Sequence, residues 1–334
     1  MTRSYDIHAH CVVPEVWALV DGQEGRAADA ARQAAGMGPA SAALNARLAR
    51  EWGPLLIDPG ARLAAMDRMG LDVQAVSPAP TEYHYWAEPD LAADVCRALN
   101  EGVAAHVAAA PDRLVGLGMI ALQHPDLAAE QLRAAVRDLG LRGAMISTNV
   151  DGTDLSDERL TPVWAAAEEL GAVLFLHPWG CTLGERLDRS YLYNVVGNPT
   201  ETTVALSHLI FGSVLDRHPR LRICAAHGGG YLPYYPGRSD HAHRAREDSR
   251  TCARPPSEYL RDLWFDTVVH DPVTLRHLID RAGASQVVLG TDHPFDMGLD
   301  DPLGLLDAVP GLTPEERDAV AGANAERLLG RPLP

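Results

Sequence analysis

The sequence predicts an α/β fold, and within that class a (β/α)₈ TIM-like barrel. Short apolar runs alternate with longer Ala/Leu/Arg-rich segments of helical spacing, which is typical of parallel strands joined by helices. About eight such units follow one another in roughly 300 residues, as a barrel of this kind requires. The chain has 334 residues, 46% of them hydrophobic, which is enough for a sizeable core.

The predicted strands share a short apolar run that ends in a polar residue or a turn. In chain order they are residues 5–10, 72–78, 114–120, 143–148, 172–178, 221–227, 263–269 and 286–292. Segments with helical spacing lie between them, for example 90–111 and 126–140. Residues 19–57 interrupt this alternation, so we predict an insertion after the first strand, partly helical, that reaches over the barrel mouth. The chain shows neither an internal repeat nor a low-complexity linker, and we predict one domain over residues 1–334.

The charge and the cysteines restrict the partners and the compartment. A formal net charge of −16, spread along the chain, disfavours nucleic acid and anionic membranes as partners. The chain opens without a basic and apolar leader, and no apolar stretch reaches the ~18 residues of a membrane span. Five cysteines lack CxxC spacing. We therefore expect a reduced, cytoplasmic protein.

The basic residues exclude several chemistries. All 29 are arginines, and the chain contains no lysine. Schiff-base catalysis, lysine-anchored pyridoxal phosphate and a Walker-type phosphate site each require a lysine. A metal site bridged by a carbamylated lysine is excluded for the same reason.

Potential metal ligands end four of the predicted strands. His8 and His10 end the first, His177 the fifth, His227 the sixth and Asp292 the eighth. Alternate residues of a strand face the same side, so both imidazoles of His-x-His can point to one ion. A single strand-end histidine is more often a packed core residue, but the joint placement at one end of a barrel favours a metal site. Three imidazoles and a carboxylate with one open position form a reasonable catalytic zinc shell, and the sequence leaves open whether His227 is a ligand or a base.

Several motifs resemble those of the decarboxylase and hydratase branch of the amidohydrolase superfamily. They are "DIHAH", "LFLHPWG", "CAAHGGGYLPYYPGR" and "VVLGTDHPF", and the resemblance extends to "GANAERLLG" near the end of the chain. It implies a barrel of the metal-dependent hydrolase type with one Zn²⁺ per chain, or another divalent metal. The resemblance further implies that His8, His10, His177 and Asp292 are the ligands, and that His227 is the catalytic base beside a metal-bound water.

The same resemblance implies how a substrate is bound. It places Arg50 in the insertion, with Arg47 as the rival, on a carboxylate of a small-molecule substrate. Arg238 would reach the site of the other subunit across a homodimer interface, and arginine suits both tasks because its planar group binds a carboxylate through two hydrogen bonds. Trp179 and Tyr191 would line the pocket. Tyr191 is also a departure from the pattern of the family, which tends to have tryptophan there.

The resemblance implies a zinc-dependent, non-oxidative decarboxylase of an unsaturated dicarboxylic acid of the muconate semialdehyde type. Metal-bound hydroxide and the His227 base would carry this C–C lyase reaction. Four alternatives stay open at this point: a hydratase of a related acid, a hydrolase of an amide or lactone, a decarboxylase of a hydroxybenzoate, and a barrel that retains zinc without catalysis. Ring-acid decarboxylases of the family often have a glutamate near the start of the first strand, where this chain has His-x-His.

Overall fold

The computed structural model describes residues 3–330 and contains the predicted parallel strands. They are β1 (Tyr5–Cys11), β2 (Val73–Pro78), β3 (Leu114–Gly116 with Gly118–Met119), β4 (Gly143–Ile146), β5 (Val173–Leu176), β6 (Arg222–Ala225), β7 (Trp264–Asp266) and β8 (Val287–Val288). The first half of β3 pairs with β2 and its second half with β4, so the strands pair in chain order as a three-stranded and a six-stranded sheet that meet within β3. The Ile7 amide donates to the Leu289 carbonyl at 2.9 Å, and Ala9 forms a bridge to His293, which joins β1 to the chain after β8. The predicted TIM-like α/β architecture is confirmed.

The helices follow the strands in the expected alternation. In chain order they are α1 (Trp17–Val20), α2 (Glu24–Met37), α3 (Pro39–Ile57), α4 (Pro59–Met69), α5 (Pro89–Ala108), α6 (Pro125–Arg137), α7 (Thr161–Leu170), α8 (Asn198–Phe211), α9 (Val214–Arg217), α10 (Pro236–Ala245), α11 (Pro272–Ala282), α12 (Pro302–Asp307), α13 (Pro314–Asp318) and α14 (Asn324–Leu329). A two-stranded antiparallel pair, Asn149–Val150 with Thr153–Asp154, lies between β4 and α7. No helix within residues 3–330 is both long enough and apolar enough to cross a membrane.

Strand β5 shows how both faces of the barrel wall are buried. Leu174 and Leu176 belong to one apolar cluster, which also contains Trp164 of α7. Val173 and Phe175 alternate with them and belong to a second cluster, which includes residues of all eight strands. Side chains with a period of two therefore fill two separate layers, as expected for a strand covered by helices on one side and by the barrel interior on the other.

Strands β3 to β8 end earlier than the sequence predicts, whereas β1 and β2 do not. The fifth was predicted over 172–178 and is observed as Val173–Leu176, and the eighth was predicted over 286–292 and is observed as Val287–Val288. His227 and Asp292, which follow strands, have φ values of 55° and 59°, outside the extended region. The chain leaves the hydrogen-bonded ladder at the barrel mouth, where these side chains are presented.

The predicted insertion, residues 19–57, is helical and lies at the carboxyl ends of the strands. The Val12 amide, just after β1, donates to the Leu56 carbonyl at 3.1 Å. The ring of Trp52 contacts that of Phe295 with centroids 5.2 Å apart, and Tyr193 donates to Gln33. Helices α2 and α3 therefore contact the loops that follow β1, β5 and β8. The division of the chain into a single domain stays a prediction.

Gly38 lies between α2 and α3, and we expect its replacement by alanine to destabilise the protein. Its φ of 79° and ψ of 156° fall in a region that is essentially restricted to glycine, and an added Cβ would lie 1.8 Å from the Asp188 carbonyl oxygen. Strain alone costs about 1–3 kcal/mol, and the clash adds to it. Gly22→Ala is the matched control, since Gly22 also has positive φ but has open space around its Cα. Urea unfolding of both variants would measure the difference, and equal losses would contradict the role of the Asp188 contact.

Candidate metal centre

The structure brings four of the predicted residues together at the barrel mouth. His8 and His10 lie on β1, and because β1 is extended both imidazoles face the same side, with their Nε2 atoms 3.1 Å apart. Asp292 Oδ1 lies 3.1 Å from His8 Nε2 and 3.2 Å from His10 Nε2. His177 follows β5, and the potential ligand atoms of all four residues lie within 4.8 Å of one another. All four side chains are buried.

The polar atoms of this group fit a divalent cation. His177 Nε2 and Asp292 Oδ1 are buried, and neither makes a hydrogen bond of normal geometry within residues 3–330, although Asp292 Oδ1 lies near the Nε2 atoms of His8 and His10. Buried polar atoms are nearly always paired, so two such atoms in one group indicate a missing positive partner. Three imidazoles with one carboxylate are suitable ligands for zinc and for other divalent transition metals. The group can therefore hold a divalent metal.

The electrostatics of the group favour a positive charge between the acids. Burial would lower the pKa of His8, but the neighbouring Asp292 and Asp266 raise it to about 10. Burial would raise the pKa of Asp292, but His8, His10 and His227 hold it well below its usual range. Burial, followed by the nearby His227, lowers the pKa of His177 well below its usual range, which keeps that imidazole neutral. An ionised carboxylate and a neutral imidazole are the forms that bind metal.

Asp266, at the end of β7, holds the ring of His8. Its Oδ2 lies 2.6 Å from His8 Nδ1, while its Oδ1 accepts hydrogen bonds from the amides of Gly228 at 2.8 Å and Val268 at 3.1 Å. A carboxylate on Nδ1 fixes the tautomer that leaves Nε2 free for a metal. Sequence reasoning missed this residue, although a carboxylate at the end of the apolar run "LWFD" was a signal of the same kind as Asp292.

Asp6 braces the backbone of β1 against the chain after β8. Its Oδ1 accepts from the amides of His8 at 2.9 Å and Thr291 at 3.0 Å. Its Oδ2 accepts from the Thr291 hydroxyl at 2.6 Å and from Gln74 Nε2 at 2.8 Å. The two segments that carry His8 and Asp292 are therefore tied together by one buried carboxylate, which the sequence analysis did not identify.

His227 lies beside the four residues, at the turn that follows β6. Its Nε2 is 3.4 Å from Asp292 Oδ2, and its ring centroid is 5.0 Å from that of His177. Unlike His8 and His10, its side chain is partly exposed, at 15%. It borders a recess with apolar walls that include Val268 and Met297. An imidazole between a buried cation site and an open recess is placed to exchange protons with a bound molecule.

The structure does not bring Arg50 or its rival Arg47 to this centre. Both side chains are exposed on α3. The side of α3 that contacts the mouth carries Asn45, which hydrogen-bonds Tyr191, and Trp52. At about 100° per residue, Arg47 and Arg50 project from the opposite side of the helix. The helical periodicity of this segment could have shown in the sequence that Arg47 and Arg50 lie on the side of the helix opposite to Asn45 and Trp52.

The other three predicted substrate residues occupy different surroundings. Burial raises the pKa of the Tyr191 hydroxyl, and the negative charge of the nearby Asp292 raises it as well. Trp179 is half-buried and borders a second recess, which also contains Arg32 and His84. The four potential ligands border neither recess, and His227 borders only the first. Arg238 is exposed on α10, beside Tyr235 and Arg281.

Comparison with known proteins finds an amidohydrolase family model and relatives that are named as decarboxylases. The family model described as Amidohydrolase matches residues 5–331. The 2-amino-3-carboxymuconate-6-semialdehyde decarboxylase of Dictyostelium discoideum is 37% identical over 82% of this chain and 77% of its own length. The gamma-resorcylate decarboxylase of Rhodococcus jostii is 30% identical over 70% of this chain and 77% of its own length. The crystal structure of 5-carboxyvanillate decarboxylase from Sphingomonas paucimobilis superimposes with a TM-score of 0.83 at 27% identity, covering 98% of this chain and 99% of that one.

Proposed function

Since this chain belongs to the amidohydrolase family, we propose that it is a metal-dependent, non-oxidative decarboxylase, a carboxy-lyase of that superfamily. The observation that carries the proposal is the convergence of His8, His10, His177 and Asp292, with His227 beside them. The relatives described above are named as decarboxylases of muconate-type or aromatic acids. We propose an unsaturated dicarboxylic acid of the 2-amino-3-carboxymuconate-6-semialdehyde type as substrate.

We propose one Zn²⁺ per chain, held by His8, His10, His177 and Asp292. When bound, such an ion polarises oxygen ligands and makes a water more acidic at neutral pH. The neutral imidazole of His177 and the ionised Asp292 suit a zinc site, and manganese or another divalent ion would accept the same ligand atoms. Asp266 keeps Nε2 of His8 directed at the ion through the 2.6 Å contact at Nδ1.

His227 is the proton carrier in this proposal. Decarboxylation breaks the bond between the carboxyl carbon and its neighbour, leaves the electron pair on that neighbour and releases CO₂, so one proton must be delivered to the carbon. Nε2 of His227, which lies 3.4 Å from Asp292 Oδ2, would deliver that proton. The partial exposure of His227 allows it to take up a proton from solvent after each turnover.

We place the substrate in the recess bordered by His227 rather than in the one bordered by Arg32. The first contains a group that can transfer a proton, and its walls include apolar side chains such as Val195, Met297 and Val268, which suit a flat unsaturated acid. Tyr191 is proposed to border the bound acid, whereas Trp179 borders the recess of Arg32 and so lies outside this placement of the substrate. Arg50 would reach a carboxylate only if α3 turned toward the mouth, and Arg238 is proposed to approach one from the other subunit of a homodimer. The cytoplasmic location stays a prediction.

A hydroxybenzoate-type aromatic acid is the second candidate substrate. Two observations favour it: the similarity in fold to 5-carboxyvanillate decarboxylase over 98% of the chain, and the absence of Arg47 and Arg50 from the described surroundings of the metal centre. A single carboxylate that binds directly to a metal needs fewer arginines than a dicarboxylate.

Substrate assays on the purified, metal-loaded chain separate these possibilities. We expect the absorbance of 2-amino-3-carboxymuconate-6-semialdehyde to fall with release of one CO₂ per molecule, and a chelator to stop the reaction. Gamma-resorcylate and 5-carboxyvanillate are the parallel substrates, and CO₂ from these alone would establish the second candidate. Loss of absorbance without CO₂ would indicate a hydratase, and acid release from an amide or lactone would indicate a hydrolase. Bound metal with no turnover of any of these compounds would contradict the proposed activity.

A further inference from the structure

Arg62, on α4, is the one buried arginine among residues 3–330. Its side chain has no solvent exposure, although the sequence contains 29 arginines. A buried charge is costly unless its donors are all directed at acceptors. The acceptors that Arg62 binds should therefore indicate the role of this buried side chain.

Every nitrogen of the guanidinium donates to a neutral acceptor. Nη2 donates to the carbonyls of His10 and Leu55, the latter at 3.2 Å. Nη1 donates to Gln74 Oε1 at 2.6 Å, and Nε donates to His106 Nε2 at 3.0 Å. Arg62 thus hydrogen-bonds the backbone of His10, a proposed metal ligand, and the backbone near the end of helix α3 in the insertion.

A second route leads from Arg62 to His8. The side-chain carbonyl of Gln74 accepts a hydrogen bond from Arg62. Its Nε2 therefore points the other way and donates to Asp6 Oδ2 at 2.8 Å. Asp6 Oδ1 in turn accepts from the His8 amide at 2.9 Å. Both histidines of β1 are therefore held by the backbone, His10 directly and His8 through two buried side chains.

The balance of buried charge around the centre fits a divalent cation. Asp6, Asp266 and Asp292 are buried carboxylates around the centre, and Arg62 is the buried guanidinium behind it. If all four side chains are ionised, their net charge is −2, which one divalent cation would neutralise. Removal of the guanidinium would leave β1 freer, whereas the lost positive charge by itself would favour a cation, so a weaker metal affinity would report the lost positioning.

We propose that Arg62 is a positioning residue of the metal centre: it fixes the β1 backbone so that His8 and His10 present their Nε2 atoms to one ion. The inference rests on the proposed metal site. It assigns to Arg62 a function in metal affinity that is separate from its contribution to folding, because the hydrogen bonds end on the backbone of the ligands themselves.

The experiment measures the metal dissociation constant of the full chain by competition with a chromophoric chelator for Zn²⁺, together with urea unfolding of the metal-free protein. We expect Arg62→Met to weaken metal binding about 10- to 100-fold, as loss of an outer partner of a metal ligand does. Asn100→Ala is the matched control. Asn100 is also a buried helix side chain that fixes a strand backbone, through the amide and carbonyl of Met119 at 2.7 and 3.0 Å, but β3 carries no proposed ligand.

Two further variants keep the test decisive if Arg62→Met does not fold. Gln74→Leu removes the link to Asp6 and the acceptor of Arg62 Nη1 but leaves the hydrogen bond of Arg62 to the His10 carbonyl, and we expect metal binding to weaken about fivefold, the value of one hydrogen bond. Arg62→Lys keeps the charge but not the planar group, and should fall between wild type and Arg62→Met. Metal affinity within twofold of wild type in Gln74→Leu and in the Arg62 variants that fold would overturn the role of Arg62. A wild-type chain that binds no metal would instead overturn the proposed function.

Discussion

Replacing His227 by alanine is expected to lower kcat about 10²- to 10⁴-fold while the chain keeps about one metal ion, because a positioned proton donor contributes rate enhancements of that size. The side chain is within hydrogen-bond distance of Asp292, at 3.4 Å, packs against the rings of His8 and His177, and borders the apolar recess. Its removal therefore takes away proton transfer without removing a proposed ligand. The measurement is steady-state CO₂ release together with metal content by atomic emission.

Two variants make this result specific. His227→Asn retains an amide that can donate to Asp292 but cannot carry a proton, so it should be as inactive as the alanine variant. His208→Ala removes a histidine that is paired with Asp154 on the outside of α8, and activity should stay at the wild-type level. Loss of metal together with activity in His227→Ala would make His227 a ligand. Activity within tenfold of wild type would assign the proton to another group.

The strands were predictable because their signal is local. Each apolar run in the sequence overlaps an observed strand, since a strand buried on both faces must be apolar at consecutive positions, as β5 is. The ends were not predictable in the same way. His227 and Asp292 adopt positive φ only because the surrounding loops hold them there, and no apolar pattern reports that.

The four potential ligands were predictable because histidine and aspartate at strand ends are uncommon and the barrel brings those ends together. Asp266 and Arg62 were not identified because their meaning lies in long-range contacts. Asp266 acts on a residue that is 258 positions away, and Arg62 is one of 29 arginines that look alike in the sequence. Burial, which only the fold provides, separates Arg62 from the others.

Replacing Asp292 by asparagine is expected to abolish stoichiometric metal binding and, with it, turnover. Asp292 Oδ1 lies 3.1 to 3.2 Å from Nε2 of both His8 and His10, so the carboxylate stands between the two imidazoles and supplies the negative charge of the ligand set. An amide keeps the shape but loses that charge. Because changes to outer partners alone weaken metal binding 10- to 100-fold, we expect at least 100-fold here.

Thermal unfolding reports this loss independently of activity. Metal at about 100 times its dissociation constant stabilises a folded chain by roughly 2.7 kcal/mol, so added Zn²⁺ should raise the Tm of the wild-type protein and a chelator should reverse the shift. Asp292→Asn should show no such response, because only the folded wild-type site binds the ion. Asp296→Asn is the matched control, an exposed aspartate four residues further along the same loop, and its Tm should respond to Zn²⁺ as wild type does. A metal-dependent Tm in Asp292→Asn would show that His8, His10 and His177 hold the ion without the carboxylate.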